Sequence, residues 1–425
     1  MNDYSMSQKS WMYKGIRMNE SSIEKQSWKG LLSIQTGGAL CLPIIMVGSL
    51  VCQKFGWLAA LLSVGLGNLF LLIIGYLLTC LSNYRPQSTA KHAASYFGHR
   101  GGSLFASLMM VSMLGWFAIQ LNIMSLCCQQ LFSMLDIQIP YLFLNIGIGI
   151  LISYVMRFGM KAMKGLSYIT APLLGLSLLY VIFSSKETLP PPAPLTLSWV
   201  KGLSLIIGAN IVAIIDLPTF FRHAKSGRDA KICVVLLYAI VVPLIEIAGI
   251  RLSALTGENS ILDILQTGHG SLWAIWISGF VLLSGWATNN ANLYSSITSS
   301  YLLMPRCPPM IRTWIIGLIG TAIACFNPLG NLETILDFLG VAVGGMGAVI
   351  LANFLLEKRS LTYKTFPGIC LLSWSIGVMI AIFSSLLPWQ TTGIPAFDAF
   401  ITAFITQITF NLINQKRKTY ETINS

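Results

Sequence analysis

Charge is what this sequence lacks. Only 10% of its 425 residues are Asp, Glu, Lys or Arg, against roughly a quarter in soluble domains. That leaves too little polar surface to wrap a water-soluble globule of this length. Histidine is nearly absent as well. His92, His99, His223 and His269 fall between the apolar runs and form no ligand pair. An integral membrane enzyme would therefore have no metal or nucleophile constellation to work with. The nine cysteines include no CxxC. Apart from adjacent Cys127 and Cys128 they are scattered, mostly inside apolar runs, and read as small buried hydrophobes. Rings of like charge and repeated carbonyl filters, the devices of a channel-like pore, are missing too. Positions 1–29 contain no apolar h-region, so no cleavable signal peptide is expected and the first span directs insertion.

What is present in quantity is apolar length. Hydrophobic residues make up 55% of the chain, in runs near the ~20 residues that cross a bilayer as a helix. One or two such runs could be buried core helices, but a dozen in series could not. The spans are expected at 31–53, 57–81, 104–128, 141–156, 165–184, 200–220, 232–255, 272–303, 313–327, 335–356, 367–387 and 394–413. The fold class is thus all-α integral membrane, with the lipid bilayer as its surroundings. The net charge of +12 forms no nucleic-acid stripe, and no nucleic-acid partner is expected. All Lys and Arg except Lys54, Lys186, Lys201 and Arg251 fall on one side of this topology. That bias places both termini in the cytoplasm, in a multi-pass inner (cytoplasmic) membrane protein.

Two spans carry helix breakers. The first contains Thr36-Gly37-Gly38 followed by Pro43; the sixth contains Gly208-Ala209-Asn210 followed by Asp216-Leu217-Pro218. Gly and Pro unwind helices and free backbone carbonyls that need partners. One such break would be a kink. Two, five spans apart, point to an inverted-repeat transporter with a mid-membrane site. The proline cluster in 185–199 is an external connector where such a repeat would divide. The organisation expected is a cytoplasmic tail (1–30), a first repeat (31–184), the external loop (185–199), a second repeat (200–356), two further helices (357–413) and a C-terminal tail (414–425).

Polar side chains inside the spans narrow the ligand. Trp116 and Gln120 stand four residues apart, on one helical face. An indole that stacks and an amide that reads donors and acceptors suit a flat, uncharged heterocycle. Packing of Trp116 and an interhelical bond from Gln120 would be the alternative. Span 8 carries Ser284, Thr288, Asn289, Asn290, Asn292 and Tyr294, which must face the bundle or a watery cavity. Ser284 and Thr288 are one turn apart. With carbonyls from a broken helix they make a sodium site, since hard cations take oxygen ligands. The ionisable residues within spans are Asp216, Glu246, Arg251, Asp337 and Asp398. Glu246 and Arg251 are five apart, an imperfect spacing for a pair. Asp216, beside the second break, is the proton-coupling candidate; a helix cap or gate salt bridge is its other reading.

These stretches resemble the nucleobase–cation symporters, in particular the cytosine and purine permease branch. TGGALCLP in span 1, LGWFAIQ in span 3, FFRHAKSGRDAK after span 6 and GWATNNANLYSS in span 8 carry the likeness. Their order holds over nearly the whole chain. The resemblance implies twelve helices, the first ten in a five-plus-five inverted repeat of the leucine-transporter type, and a cation symporter importing a nucleobase such as cytosine or a purine, or a related heterocycle. It implies that Trp116 stacks on the substrate ring, that Gln120 and Asn289 hydrogen-bond it, and that Asn210 and Cys41 border it. It assigns sodium to the carbonyls of Gly37 and Leu40 and the hydroxyl of Thr288. The chain departs from the family pattern in three places. Asn210 stands where span 6 usually offers an aromatic. Ala287 replaces a second sodium hydroxyl that Ser284 is placed to supply. Thr219 replaces an aspartate, with Asp216 nearby. No cofactor beyond a coupling ion is expected. The other functional readings are a proton-coupled carrier of a different small polar solute and a channel-like pore.

Overall fold

Seen as a computed structural model, the chain is described over residues 25–156, 158, 160–184, 195, 199–256, 271–326, 332–358, 366–386 and 392–423. The helices are α1 (Trp28–Ala39), α2 (Leu42–Phe55), α3 (Trp57–Tyr84), α4 (Thr89–Ser133), α5 (Tyr141–Met156), α6 (Met160–Ser184), α7 (Trp199–Ile215) and α8 (Leu217–Phe221). They continue as α9 (Gly227–Leu236), a π-helical turn (Leu237–Val241), α10 (Val242–Thr256), α11 (Ser271–Ser300), α12 (Pro309–Ala324), α13 (Leu332–Lys358), α14 (Pro367–Leu386) and α15 (Pro395–Ile423). Among the described residues, seven helices are long and apolar enough to cross a membrane, or eight with the bent pair α1–α2. α5 and α12 are shorter apolar helices. The outward faces are greasy, as lipid contact requires. Phe143, Ile169, Leu176 and Phe183 are each at least 66% exposed. The external connector 185–199, apart from Leu195 and Trp199, lies outside the described residues.

The two interruptions decide where a site can form. α1 ends at Ala39 and α2 begins at Leu42 after a 60° bend. Pro43 lacks the N–H that the Ala39 carbonyl would accept, so the helix cannot run on. Leu40 and extended Cys41 form the joint. In the second interruption α7 stops at Ile215 and Asp216 separates it from α8, whose first turn contains Pro218. The Gly208-Ala209-Asn210 stretch, expected as part of this break, is instead regular helix. Its glycine serves close packing: a Cβ on Gly340 of α13 would lie 3.4 Å from the Gly208 Cα.

Two further departures concern loops and bends. Residues 89–97, expected as a connector, are the start of α4, which turns at Gly98 (φ 71°) before it enters the third span. Span 7 is not a uniform helix, since the π-turn inserts between α9 and α10. Beyond it, α10 and α2 meet backbone to backbone. A Cβ on Gly48 would lie 2.0 Å from the Glu246 carbonyl oxygen, and one on Gly249 would lie 1.9 Å from that of Ile45.

The chain before α1 is strapped to the segment after α8. Gln26 N–H donates to the His223 carbonyl (2.7 Å), and Lys225 N–H to the Gln26 carbonyl (2.7 Å). Lys25 Nζ donates to the Arg222 carbonyl (3.1 Å). Trp28 N–H, a free donor at the start of α1, donates to Asp229 Oδ1 (2.8 Å). A side chain two hundred positions away thus does the work of an N-cap that Ser27 does not perform.

Candidate functional site

Both interruptions open onto one cavity of about 90 Å³. The joint of α1 and α2 contributes Gln35, Gly38, Ala39 and Cys41; α4 contributes Met113 and Trp116. From α7, the Asp216 break and α8 come Ala209, Asn210, Ala213, Asp216 and Phe220, and from the π-turn Leu237 and Tyr238. α11 supplies Thr288, Ala291, Asn292 and Ser295. The walls are aromatic and apolar, with a few hydrogen-bonding groups, the character of a small-molecule site.

Of the residues expected to meet the substrate, Trp116, Asn210 and Cys41 line this cavity. Gln120 and Asn289 do not. They stand behind the wall, one turn past Trp116 and beside Thr288, and are 1% and 0% exposed. Neither polar atom of the Gln120 amide has a hydrogen-bond partner, nor does Asn289 Nδ2. Asn289 Oδ1 accepts a long 3.4 Å bond from Asn292. A buried amide left this way costs about 1–3 kcal/mol, which a polar ligand or water at its face would recover.

Of the sodium candidates, Gly37 and Thr288 meet at the α1 joint. Thr288 Oγ1 donates to the Gly37 carbonyl (3.2 Å) and to the Ser284 carbonyl (3.0 Å), bringing α11 onto the broken helix. Ser284 Oγ donates to Val281 of its own helix (3.1 Å). Leu40 closes α1, its N–H donating to the Thr36 carbonyl. One hydroxyl was not legible in sequence. Ser167 of α6 is buried, and its Oγ would lie 2.7 Å from a Cβ placed on Gly37. Ala287 presents a methyl to the same glycine. The Gly37 carbonyl and the hydroxyls of Thr288 and Ser167 thus come together at this joint, oxygens of the kind that hard cations take.

Asp216 is 1% exposed and sits at the N-cap position of α8. Thr219 Oγ1 donates to its Oδ1 (2.6 Å) and Ser295 Oγ to its Oδ2. Thr219 in turn accepts from the Thr89 N–H (3.2 Å) at the head of α4. Below it, Arg222 Nε donates to His223 Nε2 (3.0 Å), and Tyr294 Oη lies 3.1 Å from the same nitrogen. Burial first, then Arg222 and Lys25, push the His223 imidazole down to about 3, so it stays neutral.

The remaining ionisable residues in spans are placed as follows. Glu246 and Arg251, imperfectly spaced for a pair, are not joined by an ion pair among the described residues. Glu246 turns to Asn68 and Asn210, because a five-residue spacing points the two side chains apart on a helix. Asp398 accepts from Thr392 Oγ1 (2.7 Å) near the start of α15, and the Asp337 side chain lies outside the described residues. Sequence reasoning also missed Phe220, Tyr238 and Ser295 as wall residues. Phe220 packs at a tilt against Tyr294, ring centroids 5.3 Å apart, and brings an aromatic to the wall one turn past Asp216, where Asn210 itself offers none.

A family model described as "Permease for cytosine/purines, uracil, thiamine, allantoin" matches residues 20–364. The chain belongs to this permease family. Its members are transporters, and the chain is a multi-pass membrane permease with no enzymatic role. It is 24% identical to the cytosine permease of Escherichia coli (strain K12), over 90% of this chain and 93% of that one. In fold it is similar to Mhp1, a nucleobase-cation-symport-1 family transporter solved in a closed conformation with bromovinylhydantoin bound: TM-score 0.77, 15% identity, 94% of each chain covered. It is also similar to a Na+-coupled sialic acid symporter, with TM-score 0.63 and 12% identity over 91% of this permease and 89% of the other. The permease is therefore built on the fold these cation-coupled transporters share, with its cavity at the two broken helices.

Proposed function

We propose that this permease is a symporter that imports a nucleobase such as cytosine, or a closely related small heterocycle, driven by a cation gradient across the cytoplasmic membrane, with both termini in the cytoplasm. The observation that carries the reading is the meeting of Trp116, Asn210 and the two helix breaks around one small cavity, with the incompletely bonded amides of Gln120 and Asn289 behind its wall. An indole face and neutral amides select a planar, uncharged, hydrogen-bonding ring over an ion or a sugar. The similarity to cytosine permease supports a pyrimidine. Sodium is the proposed driving ion, held by Gly37, Leu40 and Thr288 with Ser167 and Ser284 close by. Asp216 is the alternative carrier, of a proton.

Counterflow in proteoliposomes tests this. Vesicles loaded with unlabelled cytosine should transiently concentrate labelled cytosine from outside, and excess adenine or hypoxanthine should compete according to fit. An open pore shows no such overshoot. Absence of counterflow with every nucleobase and hydantoin tried would reject the proposal.

A further inference from the structure

Glu246 is the most thoroughly buried carboxyl group in the described structure that the transport reading leaves unused. It lies on α10 at 0% exposure, pinned from behind by the close backbone contact of Gly48. Two amides serve it. Asn68 Nδ2 of α3 donates to Oε2 (2.5 Å), and Asn210 Nδ2 of α7 donates to Oε1 (3.0 Å). Neither is cationic. Of the titratable groups on the surrounding elements, Tyr238 of the π-turn interacts with it electrostatically. Cys52 of α2, Cys233 of α9, Asp216 beyond α7 and Arg251 on its own helix share no hydrogen bond with it among the described residues. A carboxylate held by neutral donors inside a bilayer is expensive, whereas a carboxylic acid there is not. The acid needs an acceptor for its new O–H, and on the Oε1 side the amide that stands there is Asn210.

Asn210 connects this carboxyl to the cavity. Both its N–H groups are committed, one to Glu246 and one to the Ile206 carbonyl (3.0 Å). The atom it can offer the cavity it lines is therefore Oδ1, an acceptor. A protonated Glu246 reverses the logic: its O–H donates, the Asn210 amide turns to accept it and gives up its bond to the Ile206 carbonyl, and an N–H donor faces the cavity instead. We propose that Glu246, Asn68 and Asn210 form an intramembrane proton-binding site that sets the hydrogen-bonding sign of the substrate cavity. The proton comes from water and returns to it, with no covalent chemistry. The ionised site prefers a ring edge that donates, such as the amino edge of cytosine. The protonated site prefers one that accepts, such as the carbonyl edge of uracil. This deepens the transport reading and rests on it only for the ligand.

Two measurements separate the parts. The first uses purified full-length protein in lipid, with no ligand. Infrared titration should show a carboxylic-acid carbonyl band that appears as pH falls and is missing in Glu246→Gln. The second measures cytosine and uracil binding across the same pH range. The ratio of their affinities should move about tenfold towards uracil as pH falls, and stay flat in Glu246→Gln. Asn210→Ser should keep the titrating band and flatten the ratio, a result that supports the proposal even where Glu246→Gln fails to fold. A band that persists in Glu246→Gln, or none in the wild type, overturns the proton site. A titrating Glu246 with a pH-independent ratio overturns the link through Asn210. If the band behaves as expected and neither pyrimidine binds at any pH, the proton site stands and the transport reading falls.

Discussion

Trp116 is 8% exposed and its indole borders the cavity from the middle of α4. A stacking face removed from a planar ring forfeits about 1–3 kcal/mol, so Trp116→Ala should weaken cytosine binding by about tenfold or more while the protein still reaches the membrane. Unchanged affinity would make Trp116 a packing residue. Gln120 and Asn289 make a different prediction because their incompletely bonded amides lie behind the wall. If a substrate or an ordered water engages them, Gln120→Leu and Asn289→Leu should discriminate among analogues. Affinity should drop about tenfold for ligands carrying the matching group and little for those lacking it. An equal loss for every analogue would indicate a purely structural role.

Helices set these side chains in place through contacts that tolerate little change. α2 and α10 touch at Gly48 and Gly249, where any Cβ would overlap a carbonyl of the other helix. Gly249→Val should therefore prevent correct packing and be seen as loss of monodisperse protein after extraction, whereas Gly279→Ala, whose Cβ would meet nothing within 4 Å, should be silent. The strap between residues 25–28 and the turn after α8 carries a pH dependence. His223 is held at about 3 against an ordinary 6.5. A histidine depressed in the folded state favours folding fully above pH 6.5, and that advantage shrinks as pH falls from there towards 3. Protection of the Gln26 and Lys225 amides from hydrogen exchange, taken relative to the intrinsic rate at each pH, should fall progressively below pH 6.5 in the wild type. His223→Gln should flatten that trend. A wild type with no trend would show that His223 does not hold the strap.

For the whole molecule the open choice is the driving ion. Thr288 bonded to the Gly37 carbonyl, with Ser167 alongside, gathers oxygens at one joint, while Asp216 is wrapped by hydroxyls at the other. Uptake in vesicles with sodium and proton gradients imposed separately distinguishes them. Sodium-driven accumulation that Thr288→Ala abolishes and Asp216→Asn spares supports sodium. Accumulation that follows only the pH gradient and is lost in Asp216→Asn transfers the role to a proton.

Membrane residence, helical class and the family were legible in sequence because they depend on composition and on local order. A run of apolar residues has one way to satisfy its backbone in lipid, and Pro43 and Pro218 mark the breaks wherever the rest of the chain lies. Trp116, Cys41 and Asn210 could be placed near the site because they sit on or facing those broken spans. What sequence could not decide was which groups meet across helices. Gly208 looks like a breaker until Gly340 is found packed against it. Ser167 gains a role only because α6 lies on Gly37, and Asp229 caps a helix whose own residues do not. Glu246 pairs with two amides from other helices and not with the arginine on its own. Each of these is a contact between residues far apart in the chain. Helical periodicity fixes the face a side chain occupies, but the partner it meets there is chosen by how the helices pack.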